Sequence, residues 1–410
     1  MSRPVRGLEG LKAEFPALAR ARGPLHYLDN AATTQKSRAV IDAMSRSLEE
    51  GQGPVHRGLY ALAESATSAY EDARATVARF IGAAAPEQLI FTRSATESIN
   101  LVAWGWLRRR LRAGDRVWVT RMEHHANFLP WQRACREAGA ELRIIELRAD
   151  GTLDLEGAVE LLDPRTRLIA LCQVSNVLGI ENPVPTICAR AGSAGIPVLV
   201  DAAQSVPHGP VDVTALGCDF LAFSAHKLYG PSGIGALYGK AERLAEMEPL
   251  LVGGGMVDRV DDDRAEWAPV PARFEAGSPN LAGAIGFAAA LDWLSAVGMD
   301  RVQAHCAGLS RQTVEALAGI PGLRLIPQAE IQRGSIVSFD VEGVHPHDVA
   351  QVAAERGLAL RAGHHCCQPL MRHLGLAATV RASFGVYNGP EDVTALADAV
   401  RASLALFGPA

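Results

Sequence analysis

Short apolar runs alternate with longer amphipathic stretches over the first two thirds of the chain. Glycines support the alternation, because Gly114 and Gly195 stand where a helix ends and the next strand begins. Strands that alternate with helices are typical of βαβ units, so the pattern predicts an α/β fold with a mostly parallel, helix-covered sheet. The predicted strands are 88–92, 116–120, 142–147, 167–174, 198–200, 220–223 and 235–238.

The pattern changes after Pro279, where long helical stretches replace the regular alternation. This change predicts a smaller α+β domain at the C-terminal end. We expect an N-terminal segment 1–20 that packs with the small domain, a large domain 21–280 and a small domain 281–410. The predicted elements outside the alternating region are helices at 37–49, 64–82, 282–297, 301–317, 347–356 and 393–406, and a strand at 335–341.

Composition and charge exclude several classes of protein. The 410 residues are 48% apolar, which is enough for a large buried core and excludes a disordered or fibrous chain. The formal charge is −5, and the one basic cluster, 108–110, is typical of a solvated helix face, so we expect no nucleic-acid partner. No apolar run approaches the roughly 18 residues of a membrane span, so no membrane partner is expected either.

Cysteine usage indicates the compartment. The chain has 7 cysteines, an odd number spread thinly over its length. This argues against a disulfide framework and predicts a reducing, cytoplasmic location. A cysteine with a functional role is therefore expected to act through the reactivity of its thiol and not through a disulfide bond.

Polar side chains follow two of the predicted strands where each strand ends. Asp201 and Gln204 follow the strand at 198–200, and Lys227 follows the strand at 220–223 with Ser224 and His226 beside it. In a parallel sheet ligands bind beyond the carboxyl ends of the strands. Taken singly, each residue is as well explained by capping of a helix or turn.

Taken together, these residues predict one cofactor. A lysine after a buried strand can bond to the aldehyde of pyridoxal phosphate, and a carboxylate after a neighbouring strand can pair with its pyridine nitrogen. The phosphate needs a cradle of its own. The segment 94–97 offers backbone amides and hydroxyls at the start of the next predicted helix.

An ordered series of motifs resembles the fold-type-I pyridoxal phosphate enzymes of the cysteine desulfurase group, within the class V aminotransferase family. The similarity is to the SufS-like branch, which also includes selenocysteine lyase activity. No single motif is specific, but their order along nearly the whole chain is. The motifs are Leu28–Ala32, Val55–Gly58, Glu123–Asn127, Ser175–Gly179, Asp201–Gln204, His226–Pro231, Arg273–Pro279 and Arg361–Cys366.

The resemblance implies a set of cofactor contacts. Lys227 would hold the cofactor covalently, Asp201 would pair with the pyridine nitrogen, Gln204 would hydrogen-bond the ring hydroxyl and His124 would stack on the ring. The phosphate would be bound by Ala95 (through its backbone amide), Thr96, Ser224 and His226, and by Ser278 from the second subunit of a homodimer.

The resemblance also implies the groups that handle the substrate, L-cysteine or L-selenocysteine. Asn176 and Arg381 would hold the α-carboxylate, with Arg361 near the same pocket. Lys227 would move the α-proton and Cys366 would attack the substrate sulfur, with His124 as the third catalytic residue. An arginine suits the first task because its planar fork matches a carboxylate.

The sequence departs from the family pattern at three places. Ala95 stands where the family often has a hydroxyl residue, which removes a side-chain contact but leaves the amide. The acidic stretch 258–263 is unfamiliar and is expected to face solvent. Cys367 doubles the candidate nucleophile, and we expect neighbouring residues of an extended loop to point apart, so that Cys366 alone faces the cofactor.

Other functions fit the residues less well. His364, His365, Cys366 and Cys367 could be metal ligands, but adjacent ligands cannot easily point at one ion and paired short cysteine spacings are absent, so no metal is expected. The glycine-rich stretch 230–235 lacks the nucleophile elbow of a serine hydrolase. A non-catalytic relative would be free to lose any of these groups, and an aminotransferase needs no cysteine at 366.

The expectation is a cytoplasmic, homodimeric cysteine desulfurase. It would convert L-cysteine to L-alanine and pass sulfur from Cys366 to an acceptor protein for iron–sulfur cluster assembly. Selenocysteine lyase or another class V enzyme, such as an aminotransferase, is the alternative.

Overall fold

The computed structural model describes residues 8, 10–21, 23–158, 162–329 and 331–408. Most strands lie where the apolar runs predict them, within a residue or two. The strands are β1 (His26–Tyr27), β2 (Leu89–Thr92), β3 (Arg116–Thr120), β4 (Glu141–Ile145), β5 (Thr166–Cys172), β6 (Val198–Asp201), β7 (Phe220–Ser224), β8 (Gly235–Gly239), β9 (Val257–Val260), β10 (Ala265–Trp267), β11 (Leu323–Ile326), β12 (Ile336–Val341), β13 (Leu358–Ala359), β14 (Arg361–Gly363) and β15 (Thr379–Ser383).

The helices also follow the predicted periodicity. The first turns of α6, α11 and α13 contain a proline, whose fixed φ and missing N–H suit a helix start. The helices are α1 (Pro16–Ala19), α2 (Arg38–Glu49), α3 (Ala61–Phe80), α4 (Ala95–Leu101, continued by a π-helical turn Val102–Leu107), α5 (Leu129–Ala138), α6 (Val184–Ser193), α7 (Val213–Leu216), α8 (Ala241–Ala245), α9 (Leu281–Val297), α10 (Met299–Ala318), α11 (Pro346–Glu355), α12 (Gln368–His373) and α13 (Pro390–Phe407).

The large sheet has the strand order β2-β8-β7-β6-β5-β3-β4. Its strands run parallel except β8, which is antiparallel to both of its neighbours. Alternate residues of β5 to β7 belong to different hydrophobic clusters: Ile169, Val200 and Phe223 pack on one face, and Ala170 and Leu199 on the other. Both faces are therefore covered, which is why these strands are continuous apolar runs in the sequence. The α/β fold and the mostly parallel sheet are confirmed.

A second sheet, with the order β11-β12-β15-β14, is antiparallel. It packs with α10, α11 and α13 around a separate hydrophobic cluster. Seven of the described strands are missing from the sequence-based prediction, namely β1, β9, β10, β11, β13, β14 and β15. All but β15 have only two to four residues, and β15 is missing although polar and apolar residues alternate along it.

The two ends of the chain meet. Strand β1 pairs in parallel with β13, and Phe15 packs its ring against Trp293 and Tyr387. Residues 1–7 and 9 of the predicted N-terminal segment lie outside the described residues. The domain boundaries 1–20, 21–280 and 281–410 stay predictions.

The acidic stretch 258–263 lies mostly in a small hairpin of β9 and β10. Asp261 accepts hydrogen bonds from Arg259 and Arg264 at its tip. The side chains of Asp258 and Asp263 are exposed, as the sequence predicts.

Among the described residues no single helix is long and apolar enough to cross a membrane. Helices α9 and α10 would be long and apolar enough only if taken together, and a bend of 78° separates them.

A buried ion pair ties α3 to the edge strand β2 and to the segment before Pro279. Arg74 lies 2.6 Å from Glu275 and also donates to the carbonyl of Leu89. Glu275 in turn accepts from the hydroxyl of Tyr70 and the amide of Phe91. The network therefore provides hydrogen-bond partners for both buried charges, the Arg74 guanidinium and the Glu275 carboxylate.

We predict that Arg74→Met lowers the free energy of unfolding by about 3–5 kcal/mol, because it leaves the Glu275 carboxylate buried without its partner. Chemical denaturation measures the change. Arg401→Met, which removes an exposed i,i+3 pair with Asp398, is the control and should cost less than about 1 kcal/mol. Equal effects of the two variants would contradict the role of the Arg74 network.

Candidate active site

A cavity of about 280 Å³ opens at the carboxyl edge of the large sheet. All of the site residues predicted from the sequence line it except Ser278, which is exposed on the surface. The lining residues are Ala95, Thr96, His124, Asn176, Asp201, Gln204, Ser224, His226, Lys227, Arg361, Cys366 and Arg381.

Asp201 and Lys227 come together because β6 and β7 are parallel neighbours. Asp201 is the last residue of β6, paired with Ala222 of β7, and Lys227 ends the 3₁₀ turn that follows β7. Burial raises the pKa of the Asp201 carboxyl, against the opposing effects of the Ala203 amide and of Lys227. Burial lowers the pKa of Lys227 to about 8, while Asp201 opposes the shift. Neutral amine, the nucleophilic form, is therefore much more abundant near neutral pH than for an ordinary lysine, although the protonated form still predominates at pH 7.

His124 lies in the cavity as a neutral ring. Its Nδ1 accepts a hydrogen bond of 3.0 Å from the Ala126 amide, which places the ring proton on Nε2. Burial, with Lys227 nearby, lowers the pKa of His124 to about 3. A neutral, fixed imidazole can stack on a planar aromatic ligand.

Ser94 to Thr96 form the entrance to helix α4 beside the end of β7. Ser94 is the N-cap residue, and the amide of Ala95 donates to Ser224 Oγ at 2.8 Å. The loop can approach β8 this closely because residue 235 is glycine: a Cβ there would lie 2.8 Å from Ser94 Cα. The amides and hydroxyls at the start of α4 suit an anion, although the Ala95 amide is already paired with Ser224.

Two arginines face the cavity from the small sheet. Arg361 of β14 and Arg381 of β15 are paired in register, so their side chains share one face. Arg381 is 2% exposed and donates to the Asn176 carbonyl at 2.9 Å and to Asp29 at 3.1 Å. Its Nε has no hydrogen-bond partner among the described residues. Arg381 is thus held in place through its terminal nitrogens while its Nε–H stays unpaired.

The two neighbouring cysteines have opposite environments. Cys366 is partly exposed and lines the cavity, while Cys367 is fully buried with its sulfur 3.2 Å from the carbonyl oxygens of Met122 and Glu123. Burial raises the pKa of the Cys367 thiol. Of these two cysteines, only Cys366 can reach a ligand in the cavity.

The turn that separates them is not the extended loop expected from the sequence. His365 and Cys366 both have left-handed backbones, with φ of 52° and 54°, and the Cys367 amide closes the turn on the His364 carbonyl at 2.9 Å. That expectation was wrong, although the two thiols do point apart. The turn is held by a 2.7 Å hydrogen bond from the His125 amide to the Cys366 carbonyl.

Residues 26–396 match the model of the aminotransferase class-V family. The chain belongs to this family. It is 44% identical to a probable cysteine desulfurase of Streptomyces coelicolor, covering 98% of each chain. It is 47% identical to a cysteine desulfurase of Salmonella agona, covering 95% of this chain and 96% of that protein. The crystal structure of the cysteine desulfurase CsdA (S-sulfonic acid) from Escherichia coli superposes with a TM-score of 0.91 at 43% identity, covering 98% of this chain and 100% of that one. The family and fold expected from the motifs are confirmed.

Three further residues hold the surroundings of the cavity in place. The sequence analysis assigns no role to Asp29 or Glu123 and names His365 only as a possible metal ligand. Asp29 holds Arg381, and the carbonyl of His365 accepts from the Asn176 amide at 2.9 Å. Glu123 is fully buried beneath His124, where it accepts from Asn127 and from the Cys172 amide, and burial raises its pKa to about 7. All three lie inside the quoted motifs. Their position in those motifs is the only signal that the sequence offers.

Among the described residues no group of three or more His, Cys, Asp or Glu side chains could hold a metal ion. The direction of the Cys367 sulfur explains why the four residues 364–367 do not converge. It faces backbone carbonyls on the far side of the turn from Cys366.

We predict that Lys227 makes the stability of the cofactor-free protein rise with pH. Burial lowers the pKa of Lys227 from its ordinary value of 10.5 to about 8 in the folded chain, so between these values the unfolded chain holds a proton that the folded chain has lost. The unfolding free energy of the wild type minus that of Lys227→Met should therefore be constant below pH 8 and increase above it. Denaturant titrations of both proteins in parallel measure it. If the difference in unfolding free energy stays constant up to pH 10, the pKa of Lys227 is not lowered in the folded chain.

Proposed function

We propose that this chain is a pyridoxal phosphate-dependent cysteine desulfurase, which converts L-cysteine to L-alanine and leaves the sulfur as a persulfide on Cys366. The observation that carries the proposal is the meeting of Lys227, Asp201, Arg381 and Cys366 in one cavity. These residues come from both sheets and are far apart in the sequence. Relatives named cysteine desulfurase, similar over nearly the full length, support it.

The residues present fit the cofactor. The side-chain nitrogen of Gln204 donates to the Ala31 carbonyl, which fixes the orientation of the amide. Its Oε1 is buried and has no hydrogen-bond partner among the described residues. A ring hydroxyl would satisfy this oxygen. Asp201 can pair with the pyridine nitrogen, His124 can cover a ring face, and the start of α4 with Thr96 and His226 can receive the phosphate. When bound, pyridoxal phosphate withdraws electrons and makes the α-proton of an attached amino acid acidic.

The arginines bind and orient the substrate. Arg381 keeps one donor for an α-carboxylate, and Arg361 adds a second positive charge opposite it in the sheet. Asn176 is fixed by its bond to the His365 carbonyl and lies beside the same point. Together they direct the thiol end of a small amino acid towards Cys366.

Lys227 and Cys366 are the two side chains of the protein that take part directly in the reaction. With a pKa of about 8, the Lys227 amine can accept the α-proton and return a proton to the product. Cys366 attacks the substrate sulfur as a thiolate, the bond between that sulfur and Cβ breaks, and the electron pair stays with carbon. The sum is L-cysteine and a thiol giving L-alanine and a persulfide, so atoms and electrons balance.

The thiol in the cavity separates this function from that of an aminotransferase, which needs no cysteine there. A persulfide on a partly exposed residue can pass to an acceptor protein, consistent with sulfur supply for iron–sulfur clusters in the cytoplasm.

A homodimer is part of the proposal. Ser278 is exposed, and next to it the Gly277 amide donates to the Gly254 carbonyl. The loop at 250–255 meets Arg57, so these segments form one surface. The surface carries large apolar side chains, including Leu59 at 98% exposure and Val252 at 68%. An apolar surface of this kind is typical of an interface, and it places Ser278 where it could complete the phosphate site of a second copy.

The two cysteines give the test of the reaction. We expect Cys366→Ala to retain the cofactor absorption and lose alanine formation from L-cysteine by at least about 100-fold, since the attacking atom is removed. Cys367→Ala, the matched control, should keep most of its activity because the sulfur of Cys367 faces away from the cavity. Alanine release and mass spectrometry of the persulfide measure both. A persulfide on Cys367, or an inactive Cys367→Ala variant, would overturn the assignment.

The apolar surface gives the test of the dimer. Sedimentation should find a dimer, and Leu59→Glu should convert it to monomer with loss of activity, because a charge is placed where apolar surface is to be buried. Leu406→Glu is the control, since Leu406 is also exposed, at 62%, but lies on α13. A fully active monomer would refute the shared site.

A further inference from the structure

A second cavity, of about 290 Å³, lies behind the candidate active site. It is enclosed by the segment after β5, the loop after β6, helix α10 and the residues before β12. Gln204 and Val174 line both cavities and form the wall between them. A ligand in the second cavity would therefore contact residues of the first.

The second cavity contains buried polar atoms that nothing in the described chain satisfies. Gln173 is 6% exposed, His208 7% and Ser335 1%, and each lines the cavity. Gln173 Oε1 and Ser335 Oγ have no hydrogen-bond partner. Leaving such groups unpaired is costly, so their presence indicates that something polar binds here.

The unpaired atoms are mainly acceptors. The Gln173 amide nitrogen is directed to Glu181 at 3.4 Å, which leaves its oxygen free. His208 Nδ1 lies 2.8 Å from the Gln204 carbonyl, and the Phe384 backbone is a second hydrogen-bond partner of the ring, so His208 is not counted among the free acceptors. Burial lowers the pKa of His208 to about 4, and the ring is neutral at pH 7. A complementary ligand must bring N–H or O–H donors.

The charge of the cavity narrows the ligand class. Among the described residues that line it, Glu181 is the one with a formal charge at neutral pH. With no lining Arg or Lys, the cavity offers nothing to a carboxylate or phosphate, which excludes amino acids and the cofactor. Val211, Ile180 and Ala307 add apolar wall. A positive group with N–H donors and a short carbon frame fits all of these features.

We propose that this second cavity binds a small alkylammonium ion, with an N–H donor towards Gln173 and Ser335, its charge near Glu181 and its carbon frame against Val211 and Ala307. Because Gln204 stands between the two cavities, the bound ion contacts the wall of the candidate active site.

The probe is N-methylpiperidinium, used with the cofactor-loaded protein. A tertiary amine is chosen because primary and secondary amines react with the aldehyde of pyridoxal phosphate. Titration by saturation-transfer NMR should give a Kd of about 1 mM, as expected for a ligand of this size. N,N-dimethylpiperidinium keeps the charge but has no N–H, and cyclohexanecarboxylate reverses the charge. Both should bind at least about five-fold more weakly.

Variants locate the binding. Ser335→Ala removes a hydroxyl that makes no hydrogen bond within the chain, so it should leave the fold intact and weaken the probe about five-fold. Glu181→Gln should also weaken it, and Ala307→Leu should abolish binding by filling the cavity. Ala304→Leu, on the same helix but outside this cavity, is the matched control and should change nothing.

The proposal is overturned if the carboxylate binds as tightly as the ammonium ion, if the two cations bind equally, or if no probe binds at about 10 mM. It is also overturned if Ala307→Leu leaves binding unchanged, because the probe then sits elsewhere. None of these outcomes bears on alanine release by Cys366, so the proposed function is judged separately.

Discussion

The buried charges of Asp201 and Lys227 at the ends of two parallel strands are the constraint on which the site depends. Each shifts the pKa of the other, and burial acts on both against the charged form. Neither could be held there by a sheet with one face open to water. Strands β6 and β7 are covered by hydrophobic clusters on both faces, which keeps solvent away from these two side chains. The large apolar core is therefore a condition of the chemistry as well as of stability.

A second requirement is that the small sheet meets this edge. Arg381 bridges the Asn176 carbonyl and Asp29, and Asn176 is bonded to the loop that carries Cys366. The pairing of β1 with β13 draws the start of the chain into the same assembly. Each of these contacts joins segments more than 150 residues apart. The cavity exists only when all of them have formed.

The two neighbouring cysteines show how environment divides chemically identical groups. A left-handed backbone at two successive non-glycine residues costs roughly 1 kcal/mol or more each, and the surrounding hydrogen bonds offset that cost. The result is one thiol in the cavity and one sealed against the carbonyls of Met122 and Glu123. The strained turn thus exposes the Cys366 thiol to the cavity, as the proposed function requires.

The sequence by itself determined the architecture of the large sheet, because strands buried on both faces must be continuous apolar runs and helices between them must be amphipathic. It also predicted most residues that line the candidate site, since Asp201, Gln204 and Lys227 follow such runs and the resemblance to the family names Arg361, Arg381 and Cys366. Only the tertiary structure decided how these residues meet. The strand that carries Arg361 has only three residues, and β15 around Arg381 is identified only in the folded chain although its residues alternate between polar and apolar. The left-handed turn at 365–366 depends on contacts with distant segments, and the roles of Asp29 and Glu123 come from what they touch. Local patterns record which face of an element is buried, whereas partners across the fold are fixed only when the chain packs.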